Sequence, residues 1–316
     1  MSMEWLLILL GTLGSALPCS AGLTLEDIAP KFATNMPIVW QAPTNHLPKQ
    51  FWMYKRLPQS FSAAAISNAI VLGGFEKKGF PKPSKKDVIL WADHPMGEPR
   101  PPSLAILPKF GQISFSLGDR APNPPRDISR DEAAVERAWK CATLLGADPE
   151  EFAPTNASSV GKYGIFLARQ VDGVRFPDDT QGFQIQFGTD GSVRQFLLNW
   201  PGLERERSCL TASMSEIVSC IRGHRAAVRP VDGETNYFGR IKALAGAHKL
   251  TIVELRAYYM DGLFGENPPE NEQPTEVMPI GELQCVADFG TNSTHVQIYT
   301  PMVSAEVRRL LGGSRR

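Results

Sequence analysis

Two hydrophobic periods alternate along this chain. In one, apolar residues recur every three or four positions, which is typical of an amphipathic helix; in the other they alternate with polar residues, which is typical of an antiparallel strand. The second period is clearest between residues 182 and 200, where glutamines separate large apolar side chains: Phe183, Gln184, Ile185, Gln186 and Phe187. The pattern predicts a protein that contains both helices and antiparallel strands.

The sequence of residues 182–200 also predicts that this segment forms a β-hairpin. Asp190-Gly191 lies between two apolar runs, and this dipeptide is typical of a type I′ turn, in which both residues have φ > 0. Three residue pairs follow from a turn at that position: Phe187 with Arg194, Ile185 with Phe196 and Phe183 with Leu198. In this register the large apolar side chains share one face of the hairpin.

Three segments have the helical period, at residues 62–72, 129–146 and 213–222. The last two begin with capping boxes, Ser129 to Glu132 and Ser213 to Glu216, in which side chains bond the free backbone N–H groups of the first turn. Predicted strands follow each helix. The sequence therefore predicts an α+β fold of tandem units, each a helix plus an antiparallel sheet (αβββ-like repeats).

The N-terminus has the pattern of an export signal. Trp5 to Leu13 form a short apolar run, and mostly small residues follow to Gly22. The run is about half as long as a membrane-spanning helix, so we expect a signal peptide that is cleaved after Ala21. This predicts an extracytoplasmic protein, secreted or periplasmic, with no transmembrane segment in the mature chain. A buried N-terminal helix is the alternative, since no Lys or Arg precedes the run.

Proline-rich stretches indicate the domain boundaries, and Pro122 to Pro125 separate the first two helix-plus-sheet units. The predicted organisation is listed by residue range: a signal peptide over 1–21, an N-terminal unit over 22–121, a middle unit over 126–205 and a C-terminal unit over 206–316.

The net charge of the chain argues against a nucleic acid as its partner. Removal of residues 1–21 removes Glu4 and no basic residue, which leaves 33 basic residues against 32 acidic ones. Nucleic-acid binding depends largely on basic residues that neutralise phosphates. A chain so nearly balanced gives no reason to expect a nucleic acid as its partner.

Four cysteines remain after the predicted cleavage: Cys141, Cys209, Cys220 and Cys285. In an oxidising compartment an even number permits two disulfides. We expect a bridge between Cys220 and Cys285, because the strand face that carries Cys285 would point at the helix that carries Cys220. Four free, buried thiols are the alternative.

The sequence contains no known motif for a catalytic nucleophile, a metal site or a nucleotide site. The five histidines lie far apart, at positions 46, 94, 224, 248 and 295. We therefore predict no catalytic residue, no cofactor and no metal ligand. An aromatic set either lines a ligand groove or forms the buried face of a sheet: Trp91, Tyr163, Phe166, Phe183, Phe187, Phe196 and Trp200.

Two N-glycosylation sequons occur, at Asn156-Ala-Ser158 and Asn292-Ser-Thr294. Both lie in predicted loops, so both are acceptable glycan sites if the host is a eukaryote. In a bacterium they have no such meaning, and the sequence alone leaves the host open.

Several short segments resemble the PepSY-like and YycH/YycI-like group of bacterial extracytoplasmic proteins. They are one helical segment, two turn segments and two later strand segments: Glu132–Ala138, Val171–Val174, Phe187–Val193, Leu250–Tyr259 and Val277–Pro279. The resemblance implies helices over antiparallel sheets in a non-enzymatic binding, inhibitory or regulatory module. YycI-like proteins keep an uncleaved membrane anchor to reach a sensor kinase, whereas this chain is expected to lose its apolar segment.

We therefore expect a secreted or periplasmic non-enzymatic protein with a protein or peptide partner. The alternatives are an exported hydrolase, whose site would converge from distant residues, and a structural envelope-associated protein. A shallow groove with Trp and Tyr beside an open sheet edge would favour binding by strand addition. A deep pocket that brings His94 and Asp93 to another carboxylate would favour the hydrolase.

Overall fold

The computed structural model describes residues 25–75, 89–92, 102–118, 124–128, 132–154, 159–177, 180–229, 236–261 and 276–312. The predicted signal peptide, residues 1–21, lies outside the described residues. Within them the chain is an α+β protein with antiparallel pairing in both of its sheets.

The helices are α1 (Leu25–Ile28), α2 (Ala63–Leu72), α3 (Glu132–Leu144), α4 (Met214–Arg222), α5 (Tyr237–Ala243) and α6 (Ser304–Gly312). The first nine strands are β1 (Ile38–Trp40), β2 (Gln50–Leu57), β3 (Ile89–Ala92), β4 (Ser103–Leu107), β5 (Gln112–Ser116), β6 (Ser159–Val160), β7 (Ile165–Ala168), β8 (Gln170–Val171) and β9 (Val174–Arg175). The others are β10 (Gly182–Phe187), β11 (Val193–Asn199), β12 (Gly202–Leu210), β13 (Ala227–Val228), β14 (Lys249–Asp261), β15 (Glu276–Asp288) and β16 (Ser293–Pro301).

The chain divides into two compact units. One consists of residues 1–55 and 205–316, and the other of residues 56–204. This corrects the sequence-based division into 22–121, 126–205 and 206–316. The predicted N-terminal and middle units share one sheet, because β5 pairs with β11 and places Phe115 opposite Phe196. Antiparallel pairing between strands so distant in sequence cannot be read from proline-rich boundaries.

The unit of residues 56–204 contains a sheet in the order β3-β4-β5-β11-β10-β7-β6. One face is apolar and buried under α2 and α3, as the pairing of Ile113 with Leu198 and of Leu198 with Phe183 illustrates. Small residues on the helices, such as Ala69 and Ala138, let the helices lie close to this face. Partly buried neutral polar residues occupy the opposite face: Ser114, Ser116, Gln184, Gln186 and Gln195.

The hairpin of β10 and β11 confirms two predicted pairs and corrects the third. Ile185 faces Phe196 and Phe183 faces Leu198, as expected. A bulge places Phe187 opposite Val193 and leaves Arg194 out of the predicted pairing. The N–H of Gly188 donates to the carbonyl of Ser192 at 2.8 Å, so three residues form the loop and Arg194 is the extra residue of β11.

The loop itself is not a type I′ turn. Gly191 has φ 81°, but Asp190 is not among the described residues with positive φ. The N–H of Gly191 donates to the carbonyl of Gly188 at 2.9 Å, so the turn begins earlier than predicted. Two consecutive positive φ values occur instead at Asp172 (51°) and Gly173 (75°), which join β8 to β9. That is where the chain has the backbone of a type I′ hairpin.

The other unit is built on β14, β15 and β16, which pair antiparallel in sequence order. Leu255, Leu283 and Ile298 lie opposite one another and are buried. β1 pairs parallel with β14, and β2 lies between β15 and β12. α4 and α6 pack against each other and against β16, which completes the core of this unit.

The predicted capping box at the start of α4 is confirmed. Ser213 caps α4, its hydroxyl accepts from the N–H of Glu216, and the Glu216 side chain bonds the Ser213 N–H in return. Gly146, with φ 98°, follows the end of α3 in the left-handed conformation that favours glycine. Ser129 lies outside the described residues. Each of α2, α3 and α4 precedes antiparallel strands, and the repeat itself stays a prediction.

The predicted Cys220–Cys285 bridge is not formed, because Cys141, Cys209, Cys220 and Cys285 are all free thiols. The sulfur of Cys220 donates to the carbonyl of Arg225 at 3.0 Å, and that of Cys285 lies 3.7 Å from the carbonyl of Leu283. Each thiol therefore contacts a carbonyl close to it in sequence. Burial raises the pKa of Cys220 to about 12 and also raises that of Cys285, which keeps both protonated.

Candidate binding site at an exposed sheet edge

β12 is the outermost strand beside β2. Residues 204–208 are all exposed, in contrast to the buried strands at the centre of the sheet. Among the described residues no strand pairs with the outer side of residues 205–210, which we call the β12 edge. The edge therefore presents backbone N–H and C=O groups to solvent, which is the template for an added strand.

Hydrogen bonds hold the last part of this edge against β2. The hydroxyl of Ser208 donates to the side chain of Gln50 at 3.1 Å, and the N–H of Thr211 donates to the carbonyl of Lys49 at 3.1 Å. The N–H and C=O of one residue in an antiparallel strand point to the same side, and the sides alternate along the strand. Counted back from Thr211, whose N–H points towards Lys49, this alternation predicts that the backbone groups of Glu206 and Ser208 point outward.

An aromatic side chain supports one end of the β12 edge. The guanidinium of Arg205 lies over the ring of Trp52, 5.2 Å from its centre. Trp52 is partly buried in the adjacent strand β2. A cation held over an indole face is an arrangement that restricts the position of a long side chain. Arg205 is therefore held beside the edge by packing as well as by charge.

Arg207 is held by two carboxylates. One of its terminal nitrogens donates to Glu306 at 3.0 Å and to Glu276 at 3.2 Å, and it lies 3.8 Å from the sulfur of Met53. Glu306 is only 5% exposed and also accepts from Arg309 at 2.7 Å. A carboxylate at this depth requires such partners, because an unpaired buried charge is strongly destabilising. The network connects the edge strand to β15 and to α6.

Two titratable groups beside this network have altered acidity. Burial raises the pKa of Glu276, and repulsion from Glu306 adds to the rise, while Arg207 opposes both. Burial also raises the pKa of the Cys209 thiol, against the opposing charge of Arg207. The thiol is therefore protonated at neutral pH and is not an activated nucleophile.

Apolar side chains are exposed where the β12 edge ends. Leu210 is 62% exposed, and Met214, the first residue of α4, is 49% exposed. The edge thus has a charged part at residues 205–207 and an apolar part at its end. This combination suits an extended segment that carries polar residues followed by an apolar one.

Two of the described histidines contact backbone carbonyls. One ring nitrogen of His46 contacts the carbonyl of Leu255 at 3.1 Å, and one of His224 contacts that of Pro30 at 2.9 Å, so both rings lie against backbone groups. His94 and Asp93 lie outside the described residues. In the part of the chain that the structure describes, no three Cys, His, Asp or Glu side chains form a group suited to a metal ion.

Most of the described aromatic set forms the core rather than a groove. Phe183, Phe187, Phe196 and Trp200 are all at most 2% exposed. Phe166 is partly buried on the polar face, and Tyr163 is 41% exposed. The side chain of Trp91 lies outside the described part of the chain. Of the two sequons, Asn156 lies outside the described residues and Asn292 is exposed in the turn after β15.

Sequence reasoning missed a buried ion pair in the unit of residues 56–204. Arg169, only 3% exposed, donates to Glu151 at 2.7 Å, to Gln181 at 2.9 Å and to the carbonyl of Pro201 at 2.7 Å. The indole N–H of Trp200 also donates to Glu151, at 3.2 Å. Local sequence has no signal for this cluster, because its members come from four separate segments.

No family model matches this chain, and no curated protein matches its sequence. Among the described residues, no helix has both the length and the apolar character needed to cross a membrane.

Proposed function

We propose that this chain is a non-enzymatic, exported binding protein that binds an extended segment of a partner protein along the β12 edge. The observation that carries the proposal is the exposure of residues 204–208 on an outermost strand. A strand with outward N–H and C=O groups binds an extended chain through backbone hydrogen bonds, and the side chains beside it determine which chain binds.

The charged residues of the β12 edge restrict which extended segments can bind there. Charged side chains on edge strands limit indiscriminate pairing and aggregation. Here Glu206 is exposed between Arg205 and Arg207, and the two arginines are held by Trp52 and by Glu276 and Glu306 respectively. A partner must therefore match a fixed pattern of charges as well as supply backbone groups.

We retain the resemblance to PepSY-like and YycH/YycI-like proteins as part of the proposal. α2, α3 and α4 each precede a set of antiparallel strands. Binding along the β12 edge would inhibit or regulate the partner. Export through the predicted signal peptide would place that partner outside the cytoplasm.

A proline at residue 206 tests the proposal. Proline has no N–H, so Glu206→Pro removes an outward donor and places a ring on the edge, while a proline is tolerated where the N–H faces solvent. Glu206→Ala is the matched control, because it removes the same side chain and keeps the donor. Peptides selected from a displayed library of random eight-residue sequences serve as the probe.

We expect selected peptides to bind the unchanged protein and Glu206→Ala with similar Kd. Binding to Glu206→Pro should be about two- to thirteenfold weaker, since one hydrogen bond contributes about 0.5–1.5 kcal/mol. Urea unfolding of both variants verifies that the fold is kept. Equal binding to Glu206→Pro and Glu206→Ala, or a library that yields no binder, would overturn the proposal.

A further inference from the structure

The turn between β15 and β16 contains the sequence Asn292-Ser293-Thr294. Backbone groups close this turn: the N–H of Phe289 donates to the carbonyl of Asn292 at 2.9 Å. The N–H of Gly290, which has φ 86°, donates to the carboxylate of Asp288 at 2.8 Å. The turn therefore forms without the side chains of Asn292 and Thr294.

Both of these side chains face solvent. Residues 290–295 are all exposed, a run that begins before Asn292 and continues after Thr294. Within the described part of the chain, neither the Asn292 amide nor the Thr294 hydroxyl takes part in a hydrogen bond. An exposed Asn-x-Thr in a surface turn is the acceptor sequence for an N-linked glycan in an exported protein.

We propose that Asn292 carries an N-linked oligosaccharide and that the protein passes through a eukaryotic secretory pathway. The inference rests on the proposed export. The side-chain nitrogen of Asn292 forms a bond to the anomeric carbon of an oligosaccharide whose bond to a lipid diphosphate carrier breaks. The lipid diphosphate leaves, and a base of the transferase takes one amide proton. A eukaryotic origin makes the likeness to the bacterial proteins one of architecture alone.

The position of the turn keeps the glycan away from the proposed binding edge. The 13 residues of β15 extend for about 40 Å at about 3.3 Å per residue. Glu276 is the first residue of β15 and contacts Arg207 of β12. Asp288 is the last residue of β15 and is followed by the turn that contains Asn292. An oligosaccharide on Asn292 therefore leaves the β12 edge accessible.

The test is expression of the full chain, with its own N-terminus, in a yeast that secretes and glycosylates proteins. All forms carry Asn156→Gln, which removes the other sequon. Thr294→Ala destroys the sequon at Asn292, and Ser293→Ala is the matched control, because it changes the adjacent residue and keeps the acceptor sequence. Protein from the medium and from the cells is treated with a peptide N-glycosidase and measured by intact mass.

We expect secreted protein and Ser293→Ala to lose the mass of one oligosaccharide, with Asn292 converted to Asp, and secreted Thr294→Ala to lose none. Secreted protein without a glycan on Asn292 would overturn this inference and leave the proposed export standing. Unglycosylated protein that stays in the cytosol with residues 1–21 intact would overturn both.

Discussion

Glu216 connects the start of α4 to the start of α6 through Ser304. The Ser304 hydroxyl donates to the Glu216 carboxylate, which also accepts from the N–H of Ser213 at 2.9 Å and from Arg308 at 3.1 Å. One carboxylate thus completes a capping box and links two helices that are distant in sequence.

This arrangement predicts an acid-sensitive contribution to stability. Partial burial acts to raise the pKa of Glu216, but hydrogen bonds from Ser304, Ser213 and Arg308 outweigh it and lower the pKa to about 2, from 4.5. A carboxyl whose pKa is lower in the folded state stabilises the fold above its unfolded pKa. That stabilisation is lost as the pH falls from about 5 to about 2.

Glu216→Gln should therefore reduce the free energy of unfolding by about 1–2 kcal/mol at pH 7, with allowance for solvent screening, and by less at pH 2.5. Urea unfolding at both pH values measures the difference. The double variant with Ser304→Ala should be less destabilised than the sum of the single changes. A loss that is the same at both pH values would contradict the role of ionisation.

Replacement of Gly191 tests the corrected loop. Gly191→Val places a β-branched side chain at φ 81°, which should cost on the order of 1–3 kcal/mol. Gly191→Asn is the matched control, because asparagine tolerates the left-handed conformation far better. Thermal unfolding should give a clearly lower Tm for the valine variant only. Equal Tm values would mean that residue 191 does not have positive φ.

Arg169→Met should be among the most destabilising single changes in the unit of residues 56–204. It removes the charged partner of Glu151, which keeps only the weaker bond from the Trp200 indole, and it removes a donor to the carbonyl of Pro201. Removal of one partner from a buried pair costs up to about 3–5 kcal/mol. Lys140→Met is the control, because its pair with Glu136 is 70% exposed on both sides and should contribute little to stability. Chemical denaturation compares the two variants, and similar losses would contradict the buried network.

Thiol labelling tests the state of the cysteines. Cys209 is partly exposed, whereas Cys141, Cys220 and Cys285 are buried with raised pKa values because of their burial. An alkylating reagent should label Cys209 first in the folded protein and all four after unfolding without a reductant. Mass spectrometry of the peptides locates the labels. Failure of Cys220 and Cys285 to react until a reductant is added would restore the disulfide between them.

Local signals in the sequence were sufficient where a few neighbouring residues determine the structure. Ser213 and Glu216 cap a helix because their groups reach only backbone atoms of the same turn. Ile185 and Phe196 pair because apolar alternation fixes which face of a short hairpin is buried. The same reasoning failed at Asp190-Gly191, because the N–H of Gly188 pairs with the carbonyl of Ser192 and leaves three residues in that loop. Asp172-Gly173, by contrast, fills a two-residue loop between the paired residues Val171 and Val174.

The sequence by itself determined the α+β class and the ends of several helices, since period and capping act over a few residues. Tertiary structure alone decided that β5 pairs with β11, that β12 lies outermost, and that Arg169 reaches Glu151. Each of these depends on the meeting of segments tens of residues apart. Whether a strand lies at the edge is a property of the whole sheet, because it depends on how all the other strands pair.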